Sequence, residues 1–169
     1  MQILESLEVG DFVEIKGPIG HFHYTDAGKY LNHKTAGEVS RINMIAGGTG
    51  ITPMYQVMKA ILADPTDKTE LRLLYANQTE ADILIRPELE ALSTAHPDRL
   101  KIHYTIDRAT PGWQYSTGFV NLEMCQDNLF EFQPGTISLL CGPPPMLKFA
   151  CQPNLEKMGF AKDTTMIEF

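Results

Sequence analysis

The sequence lacks the features that would mark it as a membrane, secreted or metal-binding chain. It has no apolar run near the roughly 20 residues of a membrane span, and Met1 to Glu5 do not resemble a signal peptide. Its three cysteines, Cys125, Cys141 and Cys151, have no C-x-x-C spacing and leave one unpaired in any disulfide scheme. We therefore expect reduced thiols, a cytoplasmic location and no structural metal site.

Positive charge is also scarce. The chain has 14 Lys and Arg against 21 Asp and Glu, for a formal net charge of −7. This balance disfavours nucleic acid and anionic membranes as partners, since both require clustered basic side chains. His21, His23 and His33 have no carboxylate or cysteine to complete a ligand set, so we predict surface or packing histidines. The length suits one domain of ordinary size with a fragment of a second.

A glycine-rich turn stands between a short apolar run and an amphipathic pattern. Residues 42–46 predict a buried parallel strand, and the glycines at 47, 48 and 50 suit a sharp turn or the close approach of a ligand. Pro53 suits the first position of a helix predicted over 53–63. A strand, a glycine turn and a helix N-terminus form an arrangement that binds pyrophosphate. Pro53 replaces the third glycine of G-x-G-x-x-G, so an ordinary strand-to-helix turn stays open at this point.

Strand and helix patterns alternate from Ile42 to the end of the chain. Further strands are predicted at 71–76, 100–107, 136–141 and 165–169. Helices are predicted through Leu84, Leu89 and Leu92 after a Thr79/Asp82 capping box, over 121–129, over 147–152, and again from Pro153 to near Gly159. The alternation predicts an α/β fold, with a parallel sheet of about five strands and helices on both faces. The turns at 47–53 and 141–146 would face one crevice if their strands are neighbours.

Residues 1–37 follow a different pattern from the rest of the chain. Leu7 to Pro18 alternates apolar and polar residues around Gly10-Asp11, which predicts antiparallel strands. So few strands cannot bury a core of their own. We predict that 1–37 are the last strands of an antiparallel β-barrel, that Lys34 to Arg41 is a polar hinge, and that 38–169 form a second domain.

The motifs of this chain, in order, resemble the pyridine-nucleotide half of the ferredoxin-NADP reductase superfamily. More narrowly they resemble the NADH-cytochrome b5 reductase branch, which includes the reductase domain of eukaryotic assimilatory nitrate reductase. The motifs are Gly17-Pro18-Ile19-Gly20, GGTGITP at 47–53, YANQTE at 75–80, Asp82-Ile83-Leu84, YSTGFV at 115–120, CGPPPM at 141–146 and PNLEKMG at 153–159. They cover nearly the whole chain, and some of them lean towards nitrate reductase.

The resemblance implies an NADH-dependent flavoprotein oxidoreductase. NADH passes hydride to FAD, and the flavin gives single electrons to a b-type haem domain or to cytochrome b5, as in nitrate assimilation. Such hydride transfer needs two rings held face to face and no catalytic triad. The first 37 residues then correspond to the end of the FAD-binding barrel.

The resemblance also implies a set of site residues. The cofactor-binding positions it gives are Gly47, Gly48, Thr49, Gly50, Thr52, Pro53, Asp107, Phe119, Cys141, Gly142, Pro143 and Met146. Thr49 and Cys141 are the catalytic positions among them, and Cys141 positions the nicotinamide without redox chemistry at its sulfur. Asp107 resembles the carboxylate that repels the 2′-phosphate of NADPH, whereas the general dinucleotide rule points to Glu80. Phe119 is placed against the adenine and Phe169 near the active site, with packing the alternative for both.

The chain departs from the family pattern at the flavin site. An Arg-x-Tyr-[Ser/Thr] run and a later glycine-rich phosphate clamp are both absent from the sequence. We therefore expect the FAD site of this chain to be incomplete. A stand-alone NADH-cytochrome b5 reductase and a nucleotide-binding module without flavin remain alternatives, and the terminal electron acceptor and oligomeric state stay open.

Overall fold

The computed structural model describes residues 5–17 and 19–169, which form two sheets. The first is a three-stranded antiparallel sheet, β1-β2-β3, with strands Phe22–Asp26, Lys29–Asn32 and Thr35–Glu38. The second has six strands that all pair in parallel: β4 (Arg41–Gly47), β5 (Glu70–Asn77), β6 (Leu100–Ile106), β7 (Ser116–Thr117), β8 (Thr136–Cys141) and β9 (Met166–Glu168). The predicted α/β class with a parallel sheet is confirmed.

The order of the parallel sheet is β7-β6-β5-β4-β8-β9. Within this sheet the chain enters at β4, runs outward through β5, β6 and β7, and then returns to the other side of β4 to form β8 and β9. The strand order therefore reverses between β4 and β8. These two strands are neighbours, which is the condition under which the turns that follow them share a crevice. The strand that the sequence pattern missed is β7, because two residues are too few to show any periodicity.

Helices cover both faces of the parallel sheet, as predicted. They are α1 (Ile51–Ala63), α2 (Arg86–Ala95), α3 (Leu122–Asn128), α4 (Pro144–Met146) and α5 (Gln152–Lys157), with a π-helical segment Leu147–Cys151 joining the last two. On one face α1 and α2 bury Met54, Met58 and Leu89. On the other face α3 and α5 bury Cys125 and Leu155. The parallel strands are buried on both sides, which explains their continuous apolar runs.

The structure corrects three predictions about helix boundaries. Helix α1 begins at Ile51, so Pro53 is its third residue, a position whose N–H would also lack an intrahelical partner. The Thr79/Asp82 capping box is present, but it caps a 3₁₀ turn and leaves Leu84 exposed before α2. Pro153 does not restart a helix. It lies inside a continuous one, where its missing N–H is accommodated by the preceding π-helical segment.

The predicted strands over 7–18 are wrong for the part that the structure describes. Residues 7–17 lie outside any strand, and the side chains of Val9, Phe12 and Ile15 are exposed. An isolated hairpin is marginal in water without further strands to cover its apolar side. Pro18 and residues 1–4 lie outside the described residues. The predicted hinge at 34–41 is also wrong, because it contains β3.

Tyr24 joins the antiparallel sheet to the segment that leads into β5. Its hydroxyl donates to the buried carboxylate of Asp67, contacts Thr69 Oγ1 at 3.2 Å, and accepts the Gly28 N–H at 2.6 Å. Burial, followed by the bond to Asp67, raises the pKa of Tyr24 to about 12, so the hydroxyl stays a donor near neutral pH. The division between residues 37 and 38 remains a prediction. Among the described residues, no helix combines the length and apolar character that a membrane crossing requires.

Candidate functional site

A crevice of about 940 Å³ opens beyond the carboxyl ends of β4, β5 and β6. It lies beside the point where the strand order reverses, which is where open α/β sheets bind ligands. Several residues predicted from the sequence line it together: Gly47, Gly48, Thr49, Asp107, Phe119, Pro143 and Met146. The turns after β4 and β8 therefore share one crevice, as their positions at the strand ends predict.

A second depression of about 630 Å³ adjoins the crevice at the glycine turn. Its lining is Gly47, Gly48, Thr49, Gly50, Thr52, Cys141, Gly142 and Pro143. The two depressions share Gly47, Gly48, Thr49 and Pro143, so the glycine turn lies at their junction. Pro53 lines neither depression. Phe169 lines neither of them either, and its ring packs against Phe22 with 5.8 Å between centroids.

Two of the glycines allow the turns after β4 and β8 to pack against each other. A Cβ on Gly50 would lie 2.1 Å from the carbonyl oxygen of Cys141. A Cβ on Gly47 would lie 2.6 Å from Met146 Sδ and 2.9 Å from Pro143 Cδ. These distances are all far shorter than van der Waals contact. The missing side chains of Gly47 and Gly50 therefore let the two turns of the protein approach each other. A role in admitting a pyrophosphate remains a prediction for both residues.

Gly48 differs from its two neighbouring glycines. Its φ is +53°, a left-handed conformation that favours glycine, and a Cβ there would meet no atom within 4 Å. Gly48 begins a 3₁₀ turn, Gly48–Gly50, that runs directly into α1. The first turn of α1, all of which the structure describes, carries no acidic side chain. The open backbone and the positive end of the helix dipole together suit an anion at this point.

Asp107 lines the crevice, while the carboxylates of Glu80 and Asp82 already interact with other side chains of the protein. Glu80 lies outside the lining and forms an ion pair with Arg86 at 2.6 Å. Asp82 lines the crevice, but its carboxylate accepts the Thr79 N–H at 2.9 Å and the Thr79 hydroxyl at 2.6 Å. The Asp107 side chain makes no hydrogen bond or ion pair within the part of the chain that the structure describes. Asp107 is therefore the acid best placed to meet a ligand.

The structure adds crevice residues that sequence reasoning did not single out. Asn77, Gln78, Ala81, Leu84, Phe149 and Ala150 are among them. Phe149 is 72% exposed and Phe119 is 80% exposed, so the crevice carries two accessible aromatic rings. The π-helical segment sets the direction of Phe149, and no sequence pattern revealed that segment. Asn77 lies within the quoted YANQTE motif, but the motif gave no role to any single residue.

The predicted surface and packing histidines lie in or beside the antiparallel sheet. The rings of His21 and His33 stack with 4.2 Å between their centroids, and His23 is in β1. In the described part of the chain, no three or more His, Cys, Asp or Glu side chains are grouped so that they could hold a metal ion.

We expect the three thiols to differ in reactivity. Burial raises the pKa of the half-buried Cys141 thiol, and it raises those of Cys125 and Cys151 to about 12. Near pH 8 all three are therefore protonated and poor nucleophiles. Iodoacetamide should alkylate Cys141 slowly and the other two only after unfolding, as peptide mass mapping can show. Because folding favours the neutral thiols, their contribution to stability should be lost as the pH rises past their ordinary pKa of about 9.

Alkylation of Cys141 near neutral pH as fast as free cysteine would contradict this prediction. It would indicate a thiolate at the end of β8 and reopen a redox role for this sulfur. Denatured chain supplies the control, because all three thiols should then react at similar rates.

Comparison with known proteins gives one family match and a set of close relatives. Residues 44–152 match the family model of the oxidoreductase NAD-binding domain. The chain is 75% identical over 168 residues to the NADH nitrate reductase of Ulva prolifera, which covers 99% of this chain and 20% of that protein. It is 49% identical over 168 residues to NADH-cytochrome b5 reductase 3 of Rattus norvegicus, covering 96% of this chain and 56% of that protein.

Solved structures agree with these matches. The cytochrome b5 reductase domain of Ulva prolifera nitrate reductase superposes with a TM-score of 0.97 at 75% identity, over 99% of this chain and 64% of that one. The CS-b5R domains of human Ncb5or superpose with a TM-score of 0.67 at 24% identity, over 78% of this chain and 37% of that one. The second likeness concerns the fold alone. This chain spans about a fifth of the length of the nitrate reductases it matches.

Proposed function

The chain belongs to the oxidoreductase NAD-binding domain family, and we propose that it is the NADH-binding part of a flavin-dependent reductase. Such a reductase passes hydride from NADH to FAD and then single electrons to a b-type haem. The observation that carries the proposal is the pair of depressions joined at the glycine turn, with Asp107 facing one of them and Cys141 facing the other.

The shape and chemistry of the two depressions fit an extended dinucleotide. A dinucleotide has two nucleoside ends joined by a pyrophosphate, and the site has two depressions joined by an anion-binding turn. We propose that the adenosine lies in the larger crevice, with its ribose near Asp107 and its adenine near Phe119. The pyrophosphate then lies at Gly48, and the nicotinamide reaches the smaller depression.

NADH, when bound, supplies a hydride from its nicotinamide ring, and the residues of this chain orient that ring. Thr49, Thr52 and Cys141 line the depression assigned to it. The Thr52 hydroxyl donates to the Thr49 carbonyl at 3.1 Å, which fixes the turn beside the ring. A protonated Cys141 thiol acts here by its size and position. Gly142 and Pro143 form the adjoining wall, and the rigid ring of Pro143 favours one placement of the nicotinamide.

The fit to FAD is weaker than the fit to NADH. The Arg-x-Tyr-[Ser/Thr] run is absent from the sequence, and the described apolar residues that precede β1 are exposed. We derive no step through a flavin held by this chain. In the proposal FAD is the hydride acceptor that meets the nicotinamide face of the site.

Two relatives bear on the electron acceptor. The higher identity is to a nitrate reductase, at 75% against 49% for the cytochrome b5 reductase, and this difference supports a b-type haem domain that serves nitrate reduction. Transfer to a separate cytochrome b5 is the alternative that the second relative supports. A cytoplasmic location remains a prediction from the unpaired cysteines.

The test supplies the missing part of the flavin site: the chain is joined to the part of the Ulva prolifera cytochrome b5 reductase domain that it does not cover, and NADH-dependent reduction of oxidised cytochrome b5 is measured under anaerobic conditions with added FAD. We expect haem reduction that requires the chain, FAD and NADH together, and that is slower with NADPH. A reaction without the chain measures the background from free flavin. NADH binding without any haem reduction above that background would instead support the nucleotide-binding module, and failure to bind NADH would overturn the proposal.

A further inference from the structure

We infer that Tyr75 is a positioning residue that orients the Gly48–Thr49 peptide for the pyrophosphate. This inference deepens the proposed function and rests on it. Tyr75 is fully buried in β5, and its hydroxyl donates to the carbonyl oxygen of Gly48 at 2.9 Å. It would not touch the ligand. Its action passes through the backbone of the glycine turn.

The geometry of the peptide group explains how one hydrogen bond controls the anion site. A trans peptide is planar, with its C=O and N–H on opposite edges. When the Gly48 carbonyl turns inward to Tyr75, the N–H of Thr49 in the same plane must point the other way. Gly48 and Thr49 line both depressions, so the opposite side is the one where we place the pyrophosphate.

Gly48 is the residue at which such control is needed. Glycine adopts left-handed and right-handed conformations about equally readily, and its φ of +53° is therefore not fixed by its own chemistry. The Gly48 carbonyl also accepts the Ile51 N–H at the end of the 3₁₀ turn. The Tyr75 hydroxyl comes from a neighbouring strand, so it ties this flexible peptide to the rigid centre of the sheet.

The Tyr75 hydroxyl is suited to permanent donation. Burial raises its pKa above the ordinary value, so it stays protonated throughout the neutral range. The backbone of Leu84 and then the Asn77 amide offset part of that rise in pKa, but neither polar atom of the Asn77 amide meets a partner at hydrogen-bond geometry among the described residues. Among the described residues, the Tyr75 hydroxyl therefore donates its hydrogen bond to the Gly48 carbonyl.

Tyr104 provides a matched control on the next strand. It is as buried as Tyr75, the two rings lie 6.2 Å apart, and the strands are paired with Tyr75 opposite Tyr104. Within the described part of the chain, however, the Tyr104 hydroxyl has no hydrogen-bond partner. Removing that hydroxyl should cost nothing in stability, because an unsatisfied buried polar group is itself unfavourable.

The experiment compares Tyr75→Phe with Tyr104→Phe in the 169-residue chain by calorimetric titration. We expect Tyr75→Phe to weaken the binding of NADH and of ADP-ribose about fivefold to tenfold, which is the effect of losing one oriented hydrogen bond. Adenosine lacks the pyrophosphate, so its affinity, measured by displacement of NADH, should stay unchanged. Tyr104→Phe should bind all three like the parent. Urea denaturation of each variant checks that the chain is folded.

The outcomes separate this inference from the proposed function. A parent chain that does not bind NADH overturns the proposed function and the inference with it. A parent that binds NADH and a folded Tyr75→Phe that binds it equally well overturn the inference alone. Equal weakening of NADH and adenosine also overturns it, because that pattern indicates a general structural role. Only selective weakening of the pyrophosphate ligands supports it.

Discussion

The Gly50→Ala variant is expected to lose about 3 kcal/mol or more of folding free energy, a large share of the total for a domain of this size. The added Cβ would lie 2.1 Å from the carbonyl oxygen of Cys141 and 2.5 Å from its carbonyl carbon. The obstructing atoms belong to backbone that is held in the parallel sheet, so no side chain can rotate out of the way. The turns after β4 and β8 must then move apart, and the site that they share opens. Urea denaturation measures the loss.

Gly48→Ala is the control for Gly50→Ala. Its φ of +53° is unfavourable for alanine, but its Cβ would enter open space. It should therefore lose only about 1 kcal/mol, the ordinary difference for a left-handed residue. Its methyl group should weaken the binding of NADH, because it enters the space assigned to the pyrophosphate. A Gly50→Ala variant as stable as Gly48→Ala would contradict the packing of the two turns.

Asp107→Asn is expected to remove most of the preference for NADH over NADPH. A 2′-phosphate carries nearly two negative charges, and one carboxylate about 5 Å away repels it by roughly 1.5 kcal/mol even in water-like surroundings. That energy corresponds to about tenfold in affinity. The amide keeps an acceptor for the ribose hydroxyls, so NADH affinity should fall at most severalfold. Titration of both nucleotides into parent and variant gives the ratio.

Glu80→Gln is the matched control for this prediction. Glu80 is the acid that the general dinucleotide rule selects, yet its carboxylate is bound to Arg86 and lies outside the crevice lining. Its substitution should leave the NADH-to-NADPH ratio unchanged and cost only the small energy of an exposed ion pair. A change of ratio in Glu80→Gln and none in Asp107→Asn would show that the wrong acid was assigned.

Local patterns in the sequence predicted the framework of this site because each pattern has a local cause. The apolar run before Gly47 forms β4, and the stripe from Met54 onward forms the buried face of α1. Asn121, which starts the predicted helix over 121–129, is the N-cap of α3 and accepts the Met124 N–H. The sequence left the neighbouring position of β4 and β8 as a condition for a shared crevice, and the pairing of the two strands in the structure meets it.

The parts that could not be predicted depend on contacts between distant segments. Gly47 and Gly50 suited a sharp turn or the approach of a ligand, but the sequence did not show that their missing side chains also make room for Met146, Pro143 and Cys141. Tyr75 belonged to a predicted strand and to the YANQTE motif without a role of its own, and only the folded chain brings its hydroxyl to Gly48. The resemblance already favoured Asp107 over Glu80, but the ion pair that engages Glu80 with Arg86, six residues further along the chain, was not visible in the sequence.

Calorimetric titration of the 169-residue chain with NADH and, separately, with NADPH decides whether the two depressions form a dinucleotide site. We predict saturable binding of one NADH per chain, with NADPH binding about tenfold more weakly because of the Asp107 carboxylate. We also predict that bound NADH slows the alkylation of Cys141, since the nicotinamide covers the depression that this residue lines. No binding of either nucleotide to the folded chain would contradict the claim that these two depressions form a dinucleotide site.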